Sequence, residues 1–199
     1  METTCERRHA SQAVRVAFRG GLAAKRTTRD LLSDVLERHA DEVVIERDAH
    51  GKPYLAFPDV GTRFSVARTN GLAIVAMTPC HDVGVDVESL DRDVTGWAMW
   101  HHVMTAAELA AIPDDPDARN AALLQAWVRK EALLKAAGVG LAIDPATVEL
   151  AEEEIYHLPS QLGSPREWSM ADVVFPGFVG AVACRAPSCS IEVTGAMIV

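Results

Sequence analysis

Two segments about forty residues apart place carboxylates where packing alone would favour apolar side chains. In the first, Val83, Val85 and Val87 alternate with Gly84, Asp86 and Glu88, the period-2 pattern of a strand with one apolar face. Asp86 and Glu88 then share the other face about 7 Å apart, a spacing at which two negative charges repel unless a cation holds them. In the second, Trp127-Val-Arg-Lys-Glu-Ala-Leu-Leu-Lys135 reads as a helix. At about 100° per residue, Leu123, Leu124, Trp127, Val128 and Leu134 fall in one arc, Glu131 and Lys135 lie inside it, and Gln125 and Arg129 point away. A glutamate within an apolar stripe costs several kcal/mol unless it is paired, hydrogen-bonded or bound to metal, and chemistry is a common reason for such an arrangement. Taken singly, each motif also fits a plainer role: Glu131 and Lys135 as a surface pair four residues apart, Asp86 and Glu88 as a solvated strand edge.

The elements that must position these groups can be read along the 199 residues. Leu31, Leu32, Val35 and Leu36 predict a helix over 27–40, with Thr28 available as its cap. A short strand follows at Val43–Arg47 and a turn at Gly51-Lys52-Pro53. Phe64–Val66 and Leu72–Met77 read as strands joined by the hairpin signal Asn70-Gly71, and Pro79 precedes the Val83–Glu88 strand. Thr105-Ala-Ala-Glu108 is a capping box that opens a short helix ending before Pro113. A loop at 113–117 leads to a long helix over about 119–137, closed by Gly138. Val148–Leu150, Trp168–Val174 and Phe178–Cys184 read as strands, the last two turning at Pro176-Gly177; residues 151–154 and 159–165 read as solvated loop. Trp97, Trp100 and Met104 are assigned to the core.

Composition narrows the classes of function. With 49% hydrophobic residues the chain can build one large domain or two small subdomains. No apolar run reaches the length of a membrane span and none resembles a secretory leader, so a cytoplasmic location is expected. Cys5, Cys80, Cys184 and Cys189 show no metal-site spacing, and reduced thiols are expected. The net charge of −9 argues against nucleic-acid and anionic-membrane partners, yet residues 1–29 carry +5, leaving −14 elsewhere. That basic segment either keeps the chain soluble or forms a site for a phosphorylated small molecule.

The order Gly51-Lys52-Pro53, then Gly84-Val85-Asp86-Val87-Glu88, then Trp127-x-x-Lys130-Glu131-Ala132-x-x-Lys135 resembles the 4′-phosphopantetheinyl transferases, in particular the larger two-subdomain type that serves polyketide and nonribosomal peptide synthases. The resemblance extends from about residue 25 to 184. It implies an α+β fold of two pseudo-symmetric subdomains, 1–90 and 91–199, each a helix packed on a small, mostly antiparallel sheet, with the active cleft between them. It implies transfer of the 4′-phosphopantetheine arm of coenzyme A to a serine of an acyl or peptidyl carrier protein, with release of 3′,5′-ADP. Carried over by position, Asp86, Glu88 and Glu131 would hold Mg²⁺ or Mn²⁺. Glu131 would also accept the serine proton and Lys135 would protonate the leaving phosphate, while Arg29, Lys52 and Arg68 would meet coenzyme A. A monomer is expected.

One departure bears on this reading. Where the family usually carries Ser-His ahead of its glycine hairpin, this chain has Ala67-Arg68. An arginine can bind phosphate through paired donors but cannot exchange a proton near neutrality as histidine does. Two readings follow: an active transferase in which Arg68 binds phosphate, or a protein of the same fold that has lost transfer and acts as an accessory module or on another biosynthetic substrate. Arg15 and Arg19 are further candidate phosphate contacts.

Overall fold

The computed structural model describes residues 13–21, 27–48, 51–58, 61–79, 81–151 and 154–196. Cys5, Arg7, Arg8, Lys25, Arg26 and Cys80 lie outside them, so much of the basic N-terminal segment does too. Strand β1 (Val14–Gly20) leads to helix α1 (Thr28–Leu36), the hairpin β2 (Val44–Arg47) and β3 (Pro53–Phe57), and strands β4 (Arg63–Thr69), β5 (Leu72–Thr78) and β6 (Val83–Ser89). Helices α2 (Ala106–Ala110) and α3 (Pro116–Ala137) follow. Strands β7 (Glu149–Ala151), β8 (Glu154–His157), β9 (Ser169–Phe175), β10 (Phe178–Cys184) and β11 (Ile191–Ala196) complete an α+β fold.

The hydrogen-bonded order is β11-β1-β5-β4 in one sheet and β6-β10-β9 in the other. All neighbours are antiparallel except β1 and β11, which run parallel. Alternation along each strand sends its side chains to two different cores. Val14, Val16, Ile74 and Ala76 from the first sheet meet Val83, Val85, Val87, Val173 and Val182 from the second. On the far side of the first sheet, Ala17, Phe64, Ala73, Val75 and Met77 pack with Leu31, Leu32 and Val35 of α1. On the far side of the second, Ala181, Ala183 and Met170 pack with Val128 and Ala132 of α3. The molecule is therefore stacked helix, sheet, sheet, helix. Strand β6, which precedes a boundary drawn at residue 90, bonds to β10, while β11 from the other end of the chain bonds to β1.

Several local signals act as the sequence predicts. Gly71 takes φ +84 in the β4–β5 hairpin and Gly138 takes φ +71 at the end of α3, conformations that a side chain would disfavour. Thr105 and Glu108 form the capping box of α2. Other elements differ. Thr27, not Thr28, caps α1, with Asp30 completing a capping box. Helix α3 begins three residues before the expected 119, because Asp115 caps Ala118 and Pro116 fits the first turn, where no N–H is needed. Strands β1, β3, β8 and β11 were not anticipated. β1 lies in the basic segment, where charge drew the reading, and β8 follows the Glu-rich run expected to be loop.

The largest correction concerns the polar face of β6. It is not a solvated edge, because α3 lies directly on it. Gly84 makes this possible: a Cβ there would stand 1.9 Å from the Ala132 carbonyl oxygen and 2.4 Å from the Ala136 nitrogen. Neither does α3 have one apolar arc. Its buried residues, Leu123, Leu124, Val128, Lys130, Ala132, Leu133, Leu134 and Ala136, surround the axis, since the sheet covers one side and α2 with β7 the other. Gln125 and Arg129, expected to point away, instead bond to Asp172 on β9, Arg129 through both Nε (2.9 Å) and Nη2 (2.6 Å). Trp100 and Met104 are buried in a further cluster beneath the start of α3, and Trp97 packs against it.

Candidate functional site

The close approach of α3 to β6 brings Asp86 and Lys135 into contact. Lys135 Nζ donates to Asp86 Oδ1 at 2.6 Å and lies 3.4 Å from the Val85 carbonyl oxygen. Asp86 is 8% exposed. Its carboxyl is pushed up to about 6, chiefly by burial and further by the negative charges of Glu131 and Glu88, against the opposing pull of Lys135. Glu131, one turn before Lys135, is half-buried beside this pair and forms no hydrogen bond or ion pair among the described residues.

Glu88 occupies the same face of β6, but both its oxygens are engaged. Oε2 accepts from Thr69 Oγ1 at 3.2 Å, and Oε1 is paired with the Arg92 guanidinium. Among the described residues no three His, Cys, Asp or Glu side chains form a ready-made metal cage. The three carboxylates nevertheless supply the hard oxygen donors that suit Mg²⁺ or Mn²⁺. Their mutual repulsion, registered at Asp86, is what a divalent cation would relieve, so the donor set fits such an ion.

Beyond Lys135, a cleft of about 580 Å³ opens between the halves. Thr28 from the start of α1, Arg47 and Lys52 from the β2–β3 hairpin, Phe64, Val66 and Arg68 from β4, and Lys135 with Gly138 from α3 line it. Arg68 donates to Thr28 Oγ1 at 3.1 Å. Lys52 donates to the Ala136 carbonyl oxygen at 2.9 Å, placing a cation at the C-terminus of α3, and burial draws its pKa down. Such a cleft, cationic at several points and apolar between them, suits a phosphorylated ligand with a ring or alkyl portion.

The candidates from sequence therefore divide. Lys52, Arg68 and Lys135 meet at the cleft, and Glu88 and Glu131 lie near Asp86, the partner of Lys135. Arg29 is exposed and is not among the cleft-lining residues. Arg19 is committed to Asp34 through Nε (3.0 Å) and Nη2 (2.7 Å), whereas Arg15 lies at a separate hollow beside Met77 and Pro79. Arg47 was not anticipated as a cleft residue; its position next to the Gly51 turn, whose carbonyl it bonds at 2.6 Å, is the signal that could have marked it.

Sequence reasoning also missed the role of Lys130, the neighbour of Glu131 on the opposite side of α3. Lys130 is 1% exposed, and its Nζ donates to Glu108 Oε2 (2.7 Å) and to the carbonyls of Pro145 (2.9 Å) and Val148 (2.7 Å). Glu108 in turn accepts from the backbone N–H groups of Thr105 and Leu150. Every donor of the ammonium is used, and α2, α3 and β7 are tied at one point.

Residues 82–182 match the family model of the 4′-phosphopantetheinyl transferase superfamily. The chain is 27% identical over 158 residues to the 4′-phosphopantetheinyl transferase HetI of Nostoc sp., covering 76% of this chain and 64% of that protein. It is 25% identical over 142 residues to the L-aminoadipate-semialdehyde dehydrogenase-phosphopantetheinyl transferase of Xenopus laevis, covering 66% and 47%. The chain thus spans between about half and two thirds of the length of these relatives. The crystal structure of holo-[acyl-carrier-protein] synthase from Neisseria meningitidis aligns with a TM-score of 0.43 and 21% identity over 52% of this chain and 95% of its own. With its matched region running from β6 through α3 to β10, the chain belongs to the 4′-phosphopantetheinyl transferase superfamily.

Proposed function

We propose that this protein transfers the 4′-phosphopantetheine arm of coenzyme A to a serine of an acyl or peptidyl carrier protein, releasing 3′,5′-ADP. The observation that carries the reading is Glu131: a half-buried carboxylate with no hydrogen bond or ion pair among the described residues, beside a buried aspartate paired with Lys135, which itself lines a cationic cleft. Arg68, Lys52 and Arg47 hold the phosphates of coenzyme A, and Phe64 and Val66 supply apolar surface between them. Arg68 thereby takes over phosphate binding from the Ser-His usual in the family.

Asp86, Glu88 and Glu131 would hold a divalent cation, which would supply neutralisation of the charge developing on the pyrophosphate. Glu131 accepts the proton from the attacking serine hydroxyl. As the serine oxygen bonds to the phosphorus nearer the pantetheine, the bond from that phosphorus to the bridging oxygen breaks, the bridging oxygen leaves with the 3′,5′-ADP, and Lys135 delivers a proton to it. Lys135 is held in place by Asp86, so the leaving-group acid and the cation-binding face share one anchor.

The reaction is tested by mixing the protein with coenzyme A, Mg²⁺ and a panel of apo acyl and peptidyl carrier proteins and weighing the products. A phosphopantetheine mass gain on at least one carrier, lost in EDTA, is expected. No gain on any carrier, together with no Mg²⁺-dependent affinity for coenzyme A by calorimetry, would instead favour a fold retained for another purpose.

A further inference from the structure

Arg92 is held above Glu88 by more of the surrounding structure than an ordinary surface pair requires. Its guanidinium is paired with Glu88 Oε1 and lies 4.5 Å from the centre of the Trp97 ring, which stacks on Trp100. The backbone that carries it is pinned by Asn120 of α3. Asn120 Oδ1 accepts from Val94 N–H at 2.9 Å, and its Nδ2 donates to the carbonyls of Leu90 (3.3 Å) and Arg92 (3.0 Å).

We infer that Arg92 is a resident counter-cation on Glu88 which a divalent ion must displace, so that this arginine sets how much metal the protein requires. The inference rests on the metal-binding role proposed for Asp86, Glu88 and Glu131. Those carboxylates are not equally covered: Lys135 neutralises Asp86, Arg92 neutralises Glu88, and Glu131 has no counter-ion among the described residues. An ion entering this face competes with Arg92 for Glu88 Oε1. The competition can be won, because the Arg92 side chain is 45% exposed, and pairs of that kind contribute little. Trp97 gives the guanidinium an aromatic face to remain on after it releases the carboxylate.

Arg185 provides a control. It is also 45% exposed and lies 5.4 Å from the centre of the Trp168 ring, but its partner Glu167 is 48% exposed against 14% for Glu88 and is not one of the carboxylates assigned to the ion.

The test is Mn²⁺ affinity of the whole protein, with free Mn²⁺ counted by electron paramagnetic resonance. Arg92→Met, which keeps an apolar chain against Trp97, is expected to bind Mn²⁺ up to about fivefold more tightly than wild type, the upper end of what a partly exposed pair contributes. Arg92→Lys, which keeps the charge, and Arg185→Met are expected to match wild type. In EDTA, Arg92→Met should melt lower than wild type, and Mg²⁺ should raise its melting temperature by a larger interval. Wild-type binding that is lost in Glu131→Gln but unchanged in Arg92→Met overturns this inference and leaves the metal reading standing. Absence of Mn²⁺ binding in wild type and Arg92→Met alike overturns both.

Discussion

Lys130 and Glu131 are adjacent on α3 and face opposite fates. Lys130 enters a closed pocket where one carboxylate and two carbonyls use all its protons. Glu131 lies beside Asp86, where like charges accumulate, and its own oxygens bond to nothing among the described residues. The two sides of the helix use the same residue types, yet only one completes its valences. A buried charge whose partners are all present specifies how elements pack, whereas one left unsatisfied beside a cleft is available to a ligand. Charge burial alone therefore does not mark the working side; incomplete pairing does.

This contrast can be broken by substitutions on either side of α3. The largest effect is expected from Glu131→Gln, which keeps the shape but removes charge and basicity. Transfer to a carrier protein should fall about 100-fold to 10,000-fold while the urea midpoint stays near wild type. Normal turnover by this variant would remove Glu131 from the chemistry. On the closed side, Lys130→Met leaves Glu108 buried without its cation, and a loss of about 3–5 kcal/mol in urea unfolding is expected. Adding Glu108→Leu should recover part of that loss, though not all, since the Thr105 and Leu150 N–H groups lose their acceptor. If Lys130→Met unfolded at the wild-type urea concentration, the closed pocket would not be the clamp described here.

The open side should also declare itself through pH. Asp86 titrates at about 6 in the folded protein against 3.8 for an exposed aspartate, so the folded state holds this proton more tightly than the unfolded one. Its contribution to stability is therefore full below pH 3.8 and is lost as pH rises through about 6, an effect on the order of 2 kcal/mol. Urea midpoints across that window should fall more steeply with rising pH in wild type than in Asp86→Asn; equal slopes would mean that Asp86 is not strained. The smallest effect sharpens the cleft itself. Arg68→Ala should weaken coenzyme A about tenfold by calorimetry, as for the loss of one charge-assisted contact, Arg68→His should be tolerated, and Arg29→Ala should change little.

Much of this arrangement was legible in the chain. Asn70-Gly71 marked the β4–β5 hairpin, Thr105 with Glu108 marked the start of α2, and Gly138 marked the end of α3, because each signal depends on residues a few positions apart. Distance in sequence defeated the rest. Lys130 looks like any helix lysine until Glu108, Pro145 and Val148 are brought around it. Glu108 was recognised as a cap, but its second oxygen-bonding task spans 42 residues. The apolar arc on α3 failed for a related reason: periodicity locates one buried face, and this helix is covered on both. Placing Asp86 near Glu131 and Lys135 rested on family resemblance, since no local pattern says which helix covers which strand.

The parallel pairing of β1 with β11 carries a consequence for how the chain is assembled. Val14 lies opposite Ile191 and Arg19 opposite Ala196, so the first sheet gains its edge strand only after the first 190 residues have been made. Until then β1 presents an open hydrogen-bonding edge. A nascent chain released at about residue 184 would hold every group of the candidate site and still lack that edge. Its expected failure is association with other strands, seen as soluble aggregates in size-exclusion chromatography, before any loss of chemistry.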